Sequence, residues 1–349
     1  MADIRDIRTQ NGTPRSIWAV QNGQRKECKK IIEIKNSVEK VVWLIDDGDL
    51  IIKIIIPSGT TQTVKLSFVG VYDWGDGSPK ETSTFPWTVS HTYPLSDTDK
   101  EYTISIKIDE RYYKEHYTTT IQTFPEDDGD YIKSVYIPAS YTIGCPSITI
   151  NAYPNIEKIE FEKDCKLRQF ELYYYPRDNE NNTLKKLNIP NAVSVQGIYN
   201  FSELEELTIN FIDGTVYNNI QGVFTTSNCP KIKKLTITGA AKRIRIPGCS
   251  ALEKFVVPEG LTEIYKDCFR DCTSLSDVTI PETVTLLGDN SFRNCTALTE
   301  ITLPASVKRI GESYGNKPFY GSGLKTIKGV AGSYAETYAK NNGYEFVAI

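Results

Sequence analysis

The last third of the chain repeats every 23 residues, and this period constrains the fold more than any other feature. The cysteines at 249, 272 and 295 follow it. A leucine three residues after each cysteine and a proline nine residues after it follow it as well. A unit this short cannot bury its own apolar face, so its copies must stack into one continuous core. The period therefore predicts a solenoid, a class of fold that mostly binds other molecules.

Each repeat contains one short strand. In the copy that begins at Leu275, Val278 and Ile280 are two residues apart and share one face of an extended chain. Pro281 follows and ends the strand, because proline has no N–H to donate to a sheet. The later positions of the repeat are also apolar: Ile264, Leu287 and Ile310, with Phe269 and Phe292 at the ends of their units.

The eight cysteines fit the repeat better than they fit disulfides or zinc. Five of them lie three residues before a strand-opening Ile or Leu, where a small buried thiol packs in a turn. We predict reduced structural thiols. Cys268 and Cys272 form a C-x3-C pair without a second pair or a nearby histidine, so no metal site is predicted. The five are Cys145, Cys229, Cys249, Cys272 and Cys295.

The first unit, residues 1–45, is predicted to contain a β-hairpin. Residues 16–20 are strand-like, Asn22-Gly23 is a turn signal, and a polar strand follows. A lone hairpin is too small to fold well alone and too small to bury Trp18. We therefore predict an anchoring or assembly segment, with Trp18 as a contact residue.

The second unit, residues 46–124, has short strands and Gly/Asp turns that predict an all-β sandwich. Residues 72–78 read Y-D-W-G-D-G-S and are followed by His91-Thr-Tyr93 and by Tyr102-Thr-Ile104. These motifs resemble the PKD domain family, although Tyr72 stands where that family usually has Trp. The resemblance covers about 80 residues and implies an immunoglobulin-like sandwich that spaces or presents other domains.

The third unit, residues 125–349, begins with an acidic, turn-rich linker and continues as the solenoid. The repeats are degenerate at first and regular from Cys229 onward, and a helical run over residues 332–340 is predicted to cap the stack. The repeat over residues 272–284, C-T-S-L-S-D-V-T-I-P-E-T-V, and the tail G-S-Y-A-E-T-Y-A-K resemble the BspA-like leucine-rich repeat family over about residues 130–349. That resemblance implies a surface adhesin of gut or oral bacteria, or of their phages. Residues 2–10, A-D-I-R-D-I-R-T-Q, together with Ile17-Trp-Ala19, resemble the start of virion proteins from phages of gut bacteria.

Four threonines at exposed strand positions are the first candidate ligand site. They are predicted to form a ladder across the sheet, with charges beside it that change sign from repeat to repeat. The alternative is structural, because Thr is a good exposed strand residue. The four are Thr208, Thr236, Thr279 and Thr302.

Aromatic residues in the degenerate repeats are the second candidate. Exposed tyrosines suit sugars and proteins because each has an apolar ring and a hydroxyl. The alternative is that these rings fill a thicker core. The residues are Tyr173, Tyr174, Tyr175, Tyr199, Phe201, Phe211 and Tyr217.

The turn after residue 72 has two interpretations. Asp73, Asp76 and Ser78 cluster oxygen atoms that calcium would accept. A calcium site needs six or more oxygens, so the favoured interpretation is that Asp76 caps the turn through the backbone.

The charge of the chain and the motifs that it lacks make several classes of function improbable. The net charge of −4 is spread over both signs, so neither nucleic-acid binding nor membrane insertion is predicted. The polar N-terminus has no secretory signal pattern, which favours a virion or cytoplasmic protein over one whose signal has been removed. No catalytic motif is present, so we predict that the protein is not an enzyme and needs no cofactor.

The sequence thus predicts a mainly β adhesin or receptor-binding protein whose repeats bind a protein or glycan on a cell surface. In the leading hypothesis it is a phage virion protein, with residues 1–45 contacting virion structural proteins. One alternative is a secreted or surface-anchored bacterial adhesin that binds host protein or glycan. Another is an accessory binding module of a glycan-degrading system.

Overall fold

The structure is a computed structural model, and its backbone falls into two units, Met1–Asp49 and Leu50–Ile349. Side chains are described only from residue 49 onward. The described residues are 3–10, 13–21, 24–28, 30–31, 43–44, 49–56, 58–59, 62–66, 70–84, 89–108, 132–137, 147–152, 156–162, 165–174, 182–212, 222–311 and 317–349.

The first unit is built from antiparallel strands. Gln21 and Gln24 face each other across a two-residue connection, which confirms the hairpin predicted at Asn22-Gly23. Trp18 lies opposite Glu27 in this hairpin, but its side chain is outside the described residues, and its assembly role stays a prediction. The strands are β1 (Asp3–Gln10), β2 (Thr13–Gln21) and β3 (Gln24–Cys28), which form one sheet, and β4 (Lys30–Ile31) with β5 (Trp43–Leu44).

The second unit opens with strands that bury every other residue. In the first of them Leu50, Ile52, Ile54 and Ile56 are buried, while Lys53 is only partly covered. The short strands predicted for this region are present in its described residues. They belong to β6 (Leu50–Ile56), β7 (Gln62–Leu66), β8 (Gly70–Asp73), β9 (Glu81–Ser83), β10 (Val89–Tyr93) and β11 (Lys100–Ile108).

The main sheet of this region continues past the predicted linker. Its order in the described chain is β14-β12-β6-β11-β8-β9, and β7 pairs with β10 in a second sheet. Val135 of β12 lies opposite Ile52 of β6. Strands on both sides of residues 124–125 therefore share one sheet, and the domain boundary there stays a prediction. The two added strands are β12 (Ile132–Ile137) and β14 (Lys158–Phe161).

The degenerate repeats form a larger parallel sheet. Within it the long strand β16 bends near Asn191, which has a positive φ of 44°. Its first part pairs with β17 and its last part pairs with β18, so one strand supplies two sides of the stack. The strands are β13 (Ser147–Ala152), β15 (Leu167–Tyr174), β16 (Lys186–Tyr199), β17 (Glu206–Phe211), β18 (Val223–Ser227), β19 (Lys234–Gly239) and β20 (Arg243–Arg245).

Each regular coil then supplies one short strand to each of two sides. We call the outer surface of β17, β19, β21, β23, β25 and β27 the first face, and that of β18, β20, β22, β24 and β26 the second face. The remaining strands are β21 (Lys254–Val256), β22 (Glu263–Ile264), β23 (Asp277–Thr279), β24 (Leu286–Leu287), β25 (Glu300–Thr302), β26 (Arg309–Ile310) and β27 (Thr326–Gly329).

The core of the stack follows the 23-residue period. The repeated cysteines and leucines of the regular coils are 0% exposed, as predicted. The phenylalanines form a column of rings, with centroids 5.1 Å apart between Phe269 and Phe292 and 5.4 Å apart between Phe292 and Phe319. These distances match the spacing of stacked strands, about 4.8 Å, so the column extends from coil to coil.

The predicted C-terminal helix is present as α1 (Tyr334–Asn342). It buries Ala335, Tyr338 and Ala339 and ends at Gly343, whose φ of 75° suits a helix C-terminus. Strand β28 (Glu345–Ala348) then pairs with β27. In the part of the chain that the structure describes, no helix is long and apolar enough to cross a membrane.

Candidate ligand-binding face

The four predicted threonines lie on the first face, at outward positions of four strands. Thr208 is directly opposite Thr236. The row is not a pure threonine ladder, because Val256 is the neighbour of Thr279 and Lys328 is the neighbour of Thr302. A binding role for the threonines stays a prediction.

Charges beside this row are paired between neighbouring coils. Lys254 Nζ lies 3.3 Å from Asp277, and Lys328 Nζ lies 2.7 Å from Glu300. Lys186 Nζ donates to Glu206 over 2.8 Å, and this hydrogen bond raises the pKa of Lys186 and lowers that of Glu206. The alternation of sign seen in the sequence therefore balances charge from coil to coil.

A groove of about 490 Å³ crosses the first face between β19 and β21. Strand β19 has six residues and β21 has three. The residues that follow β21, Val257, Pro258 and Glu259, line the groove together with the last residues of β19. The groove is lined by residues 235–239 and 254–259.

The coil length changes at the groove. Cys229 and Cys249 are 20 residues apart, whereas the next cysteines follow at 23. Gly239 closes the longer strand with a φ of 78°, and a Cβ at this position would clash with the carbonyl oxygen of Phe211. Only glycine lets the chain turn so close to the preceding coil.

The lining of the groove combines apolar surface with hydroxyls. Val256, in β21, is 67% exposed, so an apolar side chain lies open to solvent in the lining. Thr236 and Thr238 add methyl and hydroxyl groups, and Thr238 Oγ1 donates to Asn210 Oδ1 over 2.9 Å. Lys254 belongs to the lining as well, so the groove offers apolar contact, hydrogen bonds and charge.

The candidate aromatic residues of the degenerate repeats lie in different environments. Phe201 and Phe211 are 0% and 2% exposed, so these two rings fill the core, and a surface role for them is wrong. Tyr199 is half-buried, with its hydroxyl 3.2 Å from Thr225 Oγ1. Tyr173 and Tyr174 lie in β15, but their side chains are outside the described residues, as are the whole of Tyr175 and Tyr217.

The turn after β8 is held by its own carboxylates. Asp73 Oδ1 accepts from Gly75 N over 3.1 Å, and Asp76 Oδ1 accepts from Ser78 N over 3.0 Å. The other oxygen of Asp76 lies 2.7 Å from His91 Nε2. The interpretation of Asp76 as a turn cap is confirmed.

The environment of Asp76 keeps its carboxyl ionised. Burial raises the pKa, but hydrogen bonds from Ser78 and His91 outweigh that effect and lower it to about 2. The His91 ring stacks on Trp74 with a centroid distance of 4.9 Å, and Tyr93 donates its hydroxyl to the Trp74 carbonyl over 2.8 Å. The turn is therefore part of a packed polar and aromatic cluster.

The cysteines of the described stack are buried. Cys272 and Cys295 each place the thiol next to a carbonyl oxygen of the preceding coil. The Cys272 thiol lies 3.3 Å from the Ile246 oxygen and the Cys295 thiol 3.1 Å from the Phe269 oxygen. Burial raises the pKa of Cys229 to about 11 and that of Cys272 to about 12. Cys145 lies outside the described residues.

Native thiols should therefore react slowly. We expect a neutral alkylating reagent to label the buried cysteines of the folded protein at a small fraction of the rate seen in denaturant, because the thiolate is the reactive form and burial disfavours it. Denatured protein prepared without reductant should show most of its eight cysteines free. Mass spectrometry of intact protein measures both, and four bridged pairs would contradict the expectation.

One family model matches the regular part of the stack. Residues 247–333 match the BspA type leucine rich repeat region, in six copies. The regular coils are thus similar to that repeat family, as predicted, while the resemblance over residues 130–246 stays a prediction.

Three solved structures align with part of this chain. A leucine rich cell surface protein from Faecalibacterium prausnitzii is 22% identical over 60% of this chain and 55% of that chain, with a TM-score of 0.29. A leucine-rich repeat protein from Bacteroides ovatus is 16% identical over 67% of this chain and 69% of that chain, with a TM-score of 0.30. A leucine-rich repeat protein from T. pallidum is 15% identical over 59% of this chain and 65% of that chain, with a TM-score of 0.24.

The alignment to the first of these structures spans just over half of its length. No curated protein matches the sequence.

Proposed function

We propose that the chain is a non-enzymatic adhesin or receptor-binding protein that holds a protein or glycan at a cell surface through the first face. The observation that carries this proposal is the groove between β19 and β21, with Val256 67% exposed in its lining. Exposed apolar surface in a groove with hydroxyl and charged groups is the usual composition of a recognition site.

The surrounding structure favours binding without rearrangement. The floor of the groove is made of buried residues of both strands, Leu235, Ile237 and Phe255, which are 8%, 7% and 2% exposed. Rigid strands therefore hold Thr236, Thr238 and Val256 in place before a ligand arrives. Such preorganisation reduces the ordering cost of association.

Substituting Val256 with Asp tests the groove. The purified full-length chain would be applied to a panel of whole gut-bacterial cells and to a glycan array, and bound protein would be quantified. We expect the V256D chain to bind at least about tenfold more weakly, because a central apolar contact becomes a hydrated charge. Leu95→Asp is the matched control, since Leu95 is 63% exposed and lies outside the stack.

Two results would count against the groove. Equal binding by the Val256→Asp and parent chains would place the ligand elsewhere. Equal losses in the Val256→Asp and Leu95→Asp variants would show that added negative charge alone weakens binding.

We further propose that the chain is part of a phage virion. In this proposal residues 1–45 are the assembly segment and residues 46–124 are a PKD-like spacer. The separate backbone unit Met1–Asp49, with its antiparallel sheet, supports an N-terminal part that serves a different purpose from the repeats. A secreted or surface-anchored bacterial adhesin is the alternative. Neighbouring tail and capsid genes would favour the virion, and polysaccharide-uptake or sortase genes would favour the alternative.

A further inference from the structure

The second face differs from the first in its charge. Along β20, β22, β24 and β26, with one residue added at each end, the charged residues are five cations and one carboxylate. The corresponding stretches of the first face carry lysines and carboxylates in equal number, and neighbouring coils pair them. The charged residues of the second face are Lys242, Arg243, Arg245, Lys308, Arg309 and Glu263.

Arg243 is held in place without a carboxylate partner in the described chain. Its guanidinium carbon lies 4.1 Å from the centre of the Tyr265 ring, and one guanidinium N–H donates to the Tyr265 hydroxyl. A ring beneath the guanidinium and a hydrogen bond at one corner fix the plane of the group. Its remaining N–H donors are left for a ligand.

The neighbouring cations add to the same surface. Arg245, two residues along the strand and 48% exposed, lies 3.6 Å from Asp267. Asp267 is also 3.6 Å from Arg270, so one carboxylate is shared by two guanidinium groups. Lys266 is exposed and has no acidic partner among the described residues.

We propose that this surface of Arg243, Arg245, Tyr265 and Lys266 binds an acidic polysaccharide, one that carries carboxylate or sulfate groups along its length. Arginine forks match the two oxygens of such groups, and Tyr265 holds one of these forks in place. Arg243 and Arg245 are two residues apart on β20, about 7 Å along the strand, so their guanidinium groups can contact two charges spaced along one polymer. The surface is distinct from the groove of the first face.

The test uses the purified full-length chain and three soluble polymers: polygalacturonate for carboxylate, dextran sulfate for sulfate, and uncharged dextran as the reference. Calorimetry at low and high salt measures binding. We expect one or both acidic polymers to bind, more weakly at high salt because exposed charges are screened, and dextran not to bind. The double variant Arg243→Gln, Arg245→Gln should bind about tenfold more weakly.

Two further variants distinguish binding at a specific arginine site from binding that depends only on the net charge of the protein. Lys254→Gln with Lys328→Gln removes the same charge from the first face and should change affinity by less than about twofold. Arg243→Lys with Arg245→Lys keeps the charge but loses the planar forks, and should still weaken binding several-fold. Val256→Asp should leave polymer binding unchanged, so failure here and failure of the groove are distinguishable.

Three outcomes would overturn the proposal. The first is that neither acidic polymer binds. The second is that the first-face variant loses as much affinity as the second-face variant. The third is that the lysine variant binds as tightly as the parent chain, because the ligand would then respond only to net charge.

Discussion

Replacing Leu275 with aspartate is expected to unfold the C-terminal coils. Leu275 is 0% exposed, and its backbone N–H donates to the Cys272 carbonyl over 3.1 Å, which fixes the side chain toward the core. An unpaired carboxylate at this position costs about 4 kcal/mol or more, a large part of the total stability of a folded protein. Because each coil packs on its neighbours, the loss should spread along the stack. Circular dichroism and thermal melting measure it.

Thr279→Asp is the control for this experiment. Thr279 lies in the same coil but is exposed on the first face, so the same new carboxylate stays in water. Its effect on stability should stay within about 1 kcal/mol. An L275D protein that melts like the parent chain would show that the repeat register is wrong.

The interior of the regular coils could be predicted because it follows one rule. A residue type that recurs at a fixed interval occupies the same place in every coil, so Cys249, Leu252 and Phe269 each predict the burial of their counterparts. The rule weakens where the interval changes. Phe319 continues the ring column but comes 27 residues after Phe292, so the period alone did not identify it.

The second face was missed for a different reason. Its strands β20, β22, β24 and β26 have two or three residues each, too few for an alternating pattern. The positions of Ile264, Leu287 and Ile310 were recognised as repeats, but they do not show that their backbones pair as a sheet. The contact between Arg243 and Tyr265 likewise depends on how the coils stack, which local sequence does not reveal.

One feature of the sequence coincides with the position of the groove. The shorter interval between Cys229 and Cys249 marks the coil where the two strands differ in length. Its consequence could not be foreseen, because it depends on which strand extends beyond the other. The pairing of β6 with β12 could not be predicted from local sequence either, because it joins residues about 80 positions apart.

Deleting residues 1–45 is expected to separate assembly from binding. In a phage that encodes this chain, the truncated protein should be absent from purified particles, because the predicted contact with virion structural proteins is lost. The purified truncated protein should still bind cells, since the groove and the second face lie wholly within the unit Leu50–Ile349. Immunoblotting of particles and a cell-binding assay with soluble protein measure the two properties.

The full-length Val256→Asp chain is the reciprocal control for this deletion. Its substitution leaves residues 1–45 intact and alters only an exposed side chain of the stack, so it should enter particles at the parent level and bind cells at least about tenfold more weakly. Together the two variants assign each property to one part of the chain. If the truncated protein enters particles normally, the first 45 residues do not serve assembly. If the purified truncated protein loses cell binding while its melting is unchanged, the ligand contacts the N-terminal unit, and the stack is a scaffold that positions it.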